Sequence, residues 1–288
     1  MSMHCEAICG QPYFKPHSFD NVGYNRVANG AEARKHSHPW QAYIITKFGK
    51  ERQQCGGSLI DWYNNNASDL VLTAAHCVMD NRVLTASYEI TEEIKFRFKR
   101  WRSKGKYVGV PVANSSHVSV YLGVHDLSTL NETALKLNVI GLTTGHYHHD
   151  IIQGVCLPSS NEDLPSGGLQ CFVTGWGYLD EKKTAAKRLQ QIEVEILRRS
   201  LCIIYANRKS FCAGSKKKSI GTCMGDSGGP LTCKKDGKFT LYGVVSFAVT
   251  GGREKVRFKL VSFRRAAETH CALGDHSCGV SGLFAVEQ

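Results

Sequence analysis

The chain has 288 residues, of which 42% are hydrophobic and 21% are charged, and its formal net charge is +11. These values exclude a disordered chain and leave room for a sizeable core in one large domain or two small ones. No apolar run approaches the roughly 20 residues of a transmembrane helix, so we expect no membrane span.

The cysteine content points to an oxidising compartment. Twelve cysteines are spread along the chain instead of being grouped in metal-ligand pairs, which favours disulfide bonds and a secreted protein. Glycosylation sequons at Asn66, Asn114 and Asn131 agree with secretion. The first residues, MSMHCEAICG, show no apolar core of a signal peptide. We expect no cofactor and no metal ion.

Short apolar and β-branched runs recur between turn signals in chain order. They lie at residues 41–46, 56–60, 70–74, 118–123, 171–177, 191–197, 230–233 and 241–247. Runs of this length and spacing predict an all-β sandwich or barrel with little helix. The run QIEVEIL at 191–197 alternates with period two, as a half-buried strand does.

Two segments hold much of the positive charge and interleave it with aromatic residues. They are IKFRFKRWRSKGKY at 94–107 and REKVRFKLVSFRR at 253–265. Such segments could bind nucleic acid or a polyanion such as heparin. Strands with one solvated face explain them as well, and we favour that interpretation because no nucleic-acid-binding motif accompanies them.

Glycines crowd around one serine in the stretch TCMGDSGGPL at 222–231. Glycine is used where φ is positive or where another backbone approaches closely, so a tight turn would explain them. The same turn could also present Ser227 with the N–H groups of Gly225 and Ser227 pointing the same way, as an oxyanion site requires.

A histidine and an aspartate could activate this serine. His76 follows a strand-like run in LVLTAAHC, and Asp150 ends HYHHD. A serine hydroxyl is a weak nucleophile until a base takes its proton, and a third group must orient that base. The cluster at 146–150 also has metal-ligand residue types, but neighbouring strand residues point to opposite faces, so its side chains should rarely converge on one ion.

Short blocks of this sequence occur in the order found in chymotrypsin-like serine proteases. They are RVANG, HPWQAYI, CGGSLI, LTAAHC, YLGVHDLS, HHDI, VCLP, CFVTGWG, FCAG and TCMGDSGGPL. The resemblance covers most of 26–246. It implies an all-β fold of two Greek-key β-barrels and leaves open whether the second barrel is complete.

The resemblance also implies a serine endopeptidase that hydrolyses protein or peptide substrates. His76 would be the general base, Asp150 the orienting acid and Ser227 the nucleophile. The amides of Gly225 and Ser227 would form the oxyanion hole.

A zymogen is implied by the block around Arg26 and Val27, which resembles an activation site for a trypsin-like protease. Cleavage would free the α-ammonium group of Val27 to pair with Asp226. Residues 1–26 would then be a propeptide-like segment, 27–252 the peptidase domain and 253–288 a divergent basic C-terminal segment.

The resemblance places Gly221 at the floor of the substrate pocket, with Ser246 and Ala248 on its wall. An uncharged floor cannot neutralise a buried lysine or arginine, so we expect cleavage after apolar side chains, as in chymotrypsin or elastase. Val124 stands where the family's calcium loop opens and offers no carboxylate, so no metal site is implied.

Disulfide bonds follow from the same resemblance. A Cys55–Cys77 bridge would pin the turn of His76 to the neighbouring strand. The other implied bridges are Cys171–Cys233, Cys202–Cys212 and Cys9–Cys156, and we take Cys271 as the partner of Cys223.

The sequence departs from the family pattern in three places, of which the lost strand and the altered pocket support an alternative, a catalytically inactive protease homologue that binds partners. An insertion lies at about 80–117. Only residues 151–155 separate Asp150 from Cys156, where the family has an apolar strand, and a missing strand would expose two sheet edges. No Pro-Gly-Val-Tyr-like strand follows Ala248.

Overall fold

The computed structural model describes residues 9–17, 30–61, 70–79, 113–139, 151–159, 162–165, 168–180, 182–198, 210–214, 225–249, 260–265 and 283–287. Within these ranges the chain forms thirteen strands and one short α-helix, α1 (Leu130–Thr133). No helix in this part of the chain is long and apolar enough to cross a membrane.

The strands are distributed along most of the described chain. They are β1 (Ala31–Glu32), β2 (Gln41–Phe48), β3 (Glu51–Ile60), β4 (Leu70–Leu72), β5 (Val118–Leu122), β6 (Leu135–Val139), β7 (Cys171–Gly175), β8 (Gln190–Ile196), β9 (Ser210–Gly214), β10 (Pro230–Lys235), β11 (Lys238–Val249), β12 (Leu260–Arg265) and β13 (Leu283–Glu287). All of the apolar runs found in the sequence overlap one of these strands.

The first barrel is closed, with the strand order β13-β4-β3-β2-β5-β6. Strands β2 and β3 form a hairpin whose tight turn uses Gly49 at a φ of 62°, a left-handed conformation that glycine adopts without strain. Buried aliphatic side chains fill the interior. They include Ile44, Leu59, Val71, Leu72, Val120, Leu122 and Leu137.

The second barrel is complete, which resolves the question left open by the sequence. Its strands follow the order β8-β7-β10-β11-β12-β9, and the additional β8–β9 pairing closes the ring, with β1 added outside β8. Residues of both closing strands and of β10 share one core, including Val194, Phe211 and Leu231. The predicted fold of two all-β barrels is therefore confirmed.

The basic C-terminal segment supplies one strand to each barrel. Strand β12 lies between β11 and β9, although its sequence lacks the glycine-rich pattern expected there. The apolar and β-branched residues of LVSF at 260–263 suit a strand between two neighbours. The backbone edges of β11 and β9 can be satisfied by any strand of suitable length, so the missing pattern did not mean a missing strand.

The expectation of two exposed edges after the shortened connection at Asp150 is wrong. Residues 151–159 form no strand and make only isolated bridges, Ile60 with Val155 and Cys156 with Thr240. Strand β13 pairs instead with β4 on one side and β6 on the other, and thereby closes the first barrel. The physical reason is that unpaired edges need a partner, which the sequence places far away along the chain.

An aromatic cluster joins the two barrels. The ring centroids of Trp40 and Phe239 are 5.4 Å apart, and those of Phe172 and Phe239 are 6.1 Å apart. Trp40 and Phe172 are almost completely buried. Because this cluster takes side chains from both barrels, it holds the two barrels against each other.

Three disulfides named in the sequence analysis are present. They are Cys9–Cys156, Cys55–Cys77 and Cys171–Cys233. Cys212 on β9 is also disulfide-bonded, and Cys202, its expected partner, lies outside the described residues. The expected pair of Cys223 and Cys271 lies outside them as well.

Candidate active site

His76 is held on a short turn at the edge of the first barrel. Strand β4 ends a few residues earlier, and Ala75–Cys77 form one turn of 3-10 helix. The Cys55–Cys77 disulfide ties this turn to β3. Gln53 Nε2 donates a 3.2 Å hydrogen bond to the carbonyl oxygen of His76. The backbone at His76 is thus anchored to β3 at two points, its own carbonyl oxygen and the neighbouring Cys77.

The environment of the His76 side chain favours its neutral form. The residue is half-buried, and burial lowers the pKa of its imidazole below the usual value. Burial penalises the charged form of a histidine because the imidazolium loses hydration. A neutral imidazole is the form that accepts a proton, so the surroundings suit a general base.

Ser227 lies on the turn between two glycines with positive φ, Gly225 at 99° and Gly228 at 80°. The carbonyl oxygen of Ser227 accepts a 2.8 Å hydrogen bond from the Gly56 amide of β3, and the Gly228 amide donates a 2.9 Å bond to Val245 on β11. The turn is therefore bonded to both barrels.

The serine turn and the histidine turn are in direct contact. A Cβ atom at Gly228 would overlap Thr73 Oγ1 and the Gly56 carbonyl oxygen, and would lie 3.1 Å from the Ala74 nitrogen. Cys77 Sγ is 3.6 Å from the Ser227 carbonyl oxygen. Only glycine permits this approach, which brings together two segments from distant parts of the sequence.

Asp226 is turned toward the segment CFVTGWG. Its side chain is buried at 8% exposure, and the Gly177 amide donates a 2.8 Å hydrogen bond to its Oδ1 atom. Added Cβ atoms at Gly175 or Gly177 would overlap the carboxylate. These glycines create the space in which the Asp226 carboxylate is buried.

Several predicted site residues lie outside the described part of the chain. They are Arg26, Val27, Asp150 and Gly221. Of the predicted pocket-wall residues, Ser246 and Ala248 are both on β11, and Ala248 is paired with Val261 of β12. The β11–β12 register shifts between Val245 and Phe247, so Ser246 lies at an irregularity immediately after the residue that accepts the Gly228 hydrogen bond.

One group of potential metal ligands surrounds the histidine, but its chemistry does not suit a metal. Cys55, His76 and Cys77 have ligand atoms within 4.8 Å of one another. The two sulfur atoms are joined in a disulfide, and only a thiolate is an effective metal ligand. The histidine–acid cluster at 146–150 lies outside the described residues.

Sequence reasoning missed the residues that support the site. Thr73 donates a 2.7 Å hydrogen bond from Oγ1 to the Gly56 carbonyl oxygen, and Gln53 anchors His76 from β3. Thr73 stands in the motif LTAAHC, so its position offered a signal. Gln53 has no local pattern that would distinguish it from an exposed strand residue.

The two barrels and the paired turns, taken together with a family comparison, indicate which family this chain belongs to. Two six-stranded barrels meet at a glycine-rich turn that holds a serine against the turn of a histidine. The model of the trypsin family matches residues 27–263. The chain therefore belongs to this family, the chymotrypsin-like serine proteases.

Two relatives cover nearly the whole chain. Chymotrypsin-C of Mus musculus and chymotrypsin-C of Rattus norvegicus are each 32% identical to it over 274 residues. The aligned region includes 91% of this chain and 91% of each relative. The similarity therefore extends beyond the motifs to the overall length.

Proposed function

We propose that this protein is a serine endopeptidase in which His76, Asp150 and Ser227 form the catalytic triad. The observation that carries the proposal is the contact of the Ser227 turn with the turn of His76, made through Gly228. Family membership supports it. Protein or peptide chains are the substrates, and no cofactor takes part.

The first chemical step is acylation of the serine. Ser227 Oγ attacks the carbonyl carbon of the scissile peptide bond while its proton passes to the neutral His76 imidazole. The amides of Gly225 and Ser227 stabilise the negative charge on the carbonyl oxygen. His76 then gives the proton to the leaving amine, and the C–N bond breaks to leave an acyl-enzyme.

The second step is hydrolysis of the acyl-enzyme. His76 takes a proton from water, the hydroxide attacks the ester carbon, and the proton returns to Ser227 Oγ as the acid product leaves. Asp150 orients the imidazole and stabilises its charged form in both steps. The lowered pKa of the His76 imidazole supports the role of His76 as the base, since burial favours the neutral form that accepts a proton.

Activation is proposed to depend on a new N-terminus. A trypsin-like protease cuts after Arg26, and the Val27 α-ammonium group pairs with Asp226. The burial of the Asp226 carboxylate supports a cationic partner, because a buried carboxylate is stabilised by opposite charge. The Cys9–Cys156 disulfide would keep the cleaved segment attached, and the disulfides support a secreted protein.

The substrate preference is proposed from the pocket residues. Gly221 at the floor provides no charge, so apolar side chains are preferred, and the methyl group of Ala248 favours smaller ones. The walls lie on β11, next to the bond from Gly228 to Val245. A library of peptides that varies the residue before the cut tests this preference.

The inactive homologue is the weaker candidate. It rested on missing strands, and β12 and β13 fill both places. Polyanion binding also receives less support for 253–265, since β12 is a barrel strand, while 94–107 lies outside the described residues. The two candidates differ in their reaction with a covalent serine-directed probe.

The test uses protein cleaved after Arg26, with the new N-terminus verified by sequencing. Labelling of Ser227 should occur in the wild type, disappear in Ser227→Ala and fall strongly in His76→Ala, because labelling needs the nucleophile and its base. If cleaved wild-type protein never reacts with the probe, the proposed enzyme is refuted and the inactive homologue becomes the better supported candidate.

A further inference from the structure

We propose that the gap between β4 and β6 is a strand-binding site filled by the chain's own C-terminal strand β13, and that seating β13 positions His76. The second half of this inference rests on the proposed function. The first half concerns the barrel itself and is tested separately. Such a site binds an extended peptide, whose backbone forms hydrogen bonds with the strand on each side of it.

The pairing of β13 is divided between two neighbours. Its first part pairs antiparallel with β4 and its last part with β6. The registered pairs are Leu283–Leu72, Phe284–Val71, Ala285–Leu70, Val286–Val139 and Glu287–Asn138. Among the strands that the structure describes, β4 would pair only with β3 and β6 only with β5 if β13 were absent. The short C-terminal strand therefore completes two edges.

Strand β4 needs this partner because it is buried. Leu70, Val71 and Leu72 are between 0% and 4% exposed. Buried backbone N–H and C=O groups must find hydrogen-bond partners within the protein, since water cannot reach them. Strand β3 can satisfy only one edge of β4, so the other edge depends on β13.

The same strand leads into the site. Leu72, the last residue of β4, pairs with Leu283, the first residue of β13. Thr73 follows directly and bonds to Gly56, and the turn of His76 comes next. Strand β6 ends at Val139 and precedes Asp150 in the chain. The strand-binding site thus lies beside β4, which leads to the proposed base, and β6, which leads to the proposed acid.

The C-terminal sequence suits a strand of this kind. LFAV at 283–286 is a short apolar run that follows Gly282, and such a run is typical of a strand paired on both sides. The run is one continuous segment, but β4 and β6, with which it pairs, lie far from it along the chain.

A truncation with rescue tests the positioning role. The variant lacking residues 283–288, cut after Arg26, is compared with the cut full-length protein, with and without the free peptide LFAVEQ. We expect probe labelling of Ser227 to slow at least tenfold on truncation and to recover with saturating peptide. Hydrogen exchange at residues 70–72 should accelerate and recover in parallel. For a peptide substrate, kcat should fall more than KM rises, because the pocket wall lies on β11.

Matched variants of the full-length chain keep the test valid if the truncated protein does not fold. Ala285→Pro removes a backbone donor from the middle of β13 and should accelerate exchange at 70–72, whereas Ala285→Val preserves the donor and should not. Unchanged exchange in Ala285→Pro, or a truncated protein with normal exchange and labelling, would overturn the proposal. Failure of the peptide to restore a folded truncated protein would also overturn it.

A cross-link tests the register and the occupant. Leu72→Cys with Leu283→Cys places two thiols on directly opposite residues, and a disulfide should form within one chain. Leu72→Cys with Ala285→Cys is out of register and should cross-link at least tenfold less. Equal cross-linking of the two pairs, or links only between chains, would overturn the intramolecular strand. Full-length protein that never labels but passes the exchange and cross-link tests would refute the proposed enzyme and not the strand-binding site.

Discussion

The amide of Gly56 donates a 2.8 Å hydrogen bond to the carbonyl oxygen of Ser227. This bond joins β3, which also anchors the His76 turn through the Cys55–Cys77 disulfide, to the turn that carries the proposed nucleophile. One strand therefore holds both turns. The spacing of the proposed base and the proposed nucleophile depends on how closely β3 and the glycine-rich turn approach each other.

Replacing Gly228 by alanine should disrupt this approach. The new methyl group would overlap Thr73 Oγ1 and the Gly56 carbonyl oxygen at a φ of 80°. We expect a loss of about 3 kcal/mol in unfolding free energy, from overpacking and backbone strain, and at least a hundredfold slower probe labelling. Chemical denaturation and labelling kinetics measure the two effects.

Gly237 provides the matched control for this change. It has the same φ of 80° but nothing within 4 Å of its added Cβ. Gly237→Ala should cost only about 1 kcal/mol of backbone strain and leave labelling unchanged. Equal losses in the two variants would show that the tight contact at Gly228 is not what matters.

His38 should make the protein less stable in mild acid. It is 3% exposed between Trp40 and Phe172, and burial lowers the pKa of its imidazole to about 4 despite the hydrogen bond from Nε2 to Gln191. The folded state therefore binds fewer protons than the unfolded state. The stabilisation is complete above the unfolded pKa of 6.5 and is lost as pH falls from there through about 4.

The size of this effect is about 3 kcal/mol at most, from the difference between the folded and unfolded pKa values. Denaturation of the wild type and of His38→Gln between pH 8 and pH 4 measures it. The two unfolding free energies should differ by a constant amount above about pH 7 and converge in acid. Parallel curves over the whole range would contradict a neutral buried His38.

The proposed activation step predicts that two variants stay unreactive for different reasons. Arg26→Gln should block cleavage by a trypsin-like protease and leave the precursor nearly unreactive. Asp226→Asn should permit the cut but lose at least a hundredfold in probe labelling, because the Val27 ammonium then meets a neutral partner. N-terminal sequencing and labelling separate the two. A fully reactive uncut precursor would refute this activation step while leaving the enzyme assignment intact.

The pocket floor predicts substrate preference. Cleavage of a peptide library should follow apolar residues, and Gly221→Asp should shift the profile toward lysine and arginine at least tenfold, since a buried carboxylate can neutralise their charge. Gly237→Ala, which lies on an exposed turn, should leave the profile unchanged. A wild-type profile dominated by lysine or arginine would refute the uncharged floor.

The fold class and the local chemistry of the turns could be predicted from the amino-acid sequence alone. Gly225 and Gly228 have positive φ values. Such values favour glycine at those positions, so the glycines around Ser227 predict a tight turn. Period-two alternation likewise predicted β8, because successive residues of a strand point to opposite faces of the sheet. These features need no knowledge of distant segments.

The way in which the two barrels are completed could not be predicted from the sequence and is seen in the folded chain. Leu283 pairs with Leu72, and β12 enters between β11 and β9, although neither strand has the family's expected pattern. Every residue other than proline offers the same backbone donor and acceptor, so a short apolar run carries no local sign of which sheet edge it joins. The supporting role of Gln53 could not be predicted for the same reason, since it acts on the segment of His76, which becomes its neighbour only when the chain folds.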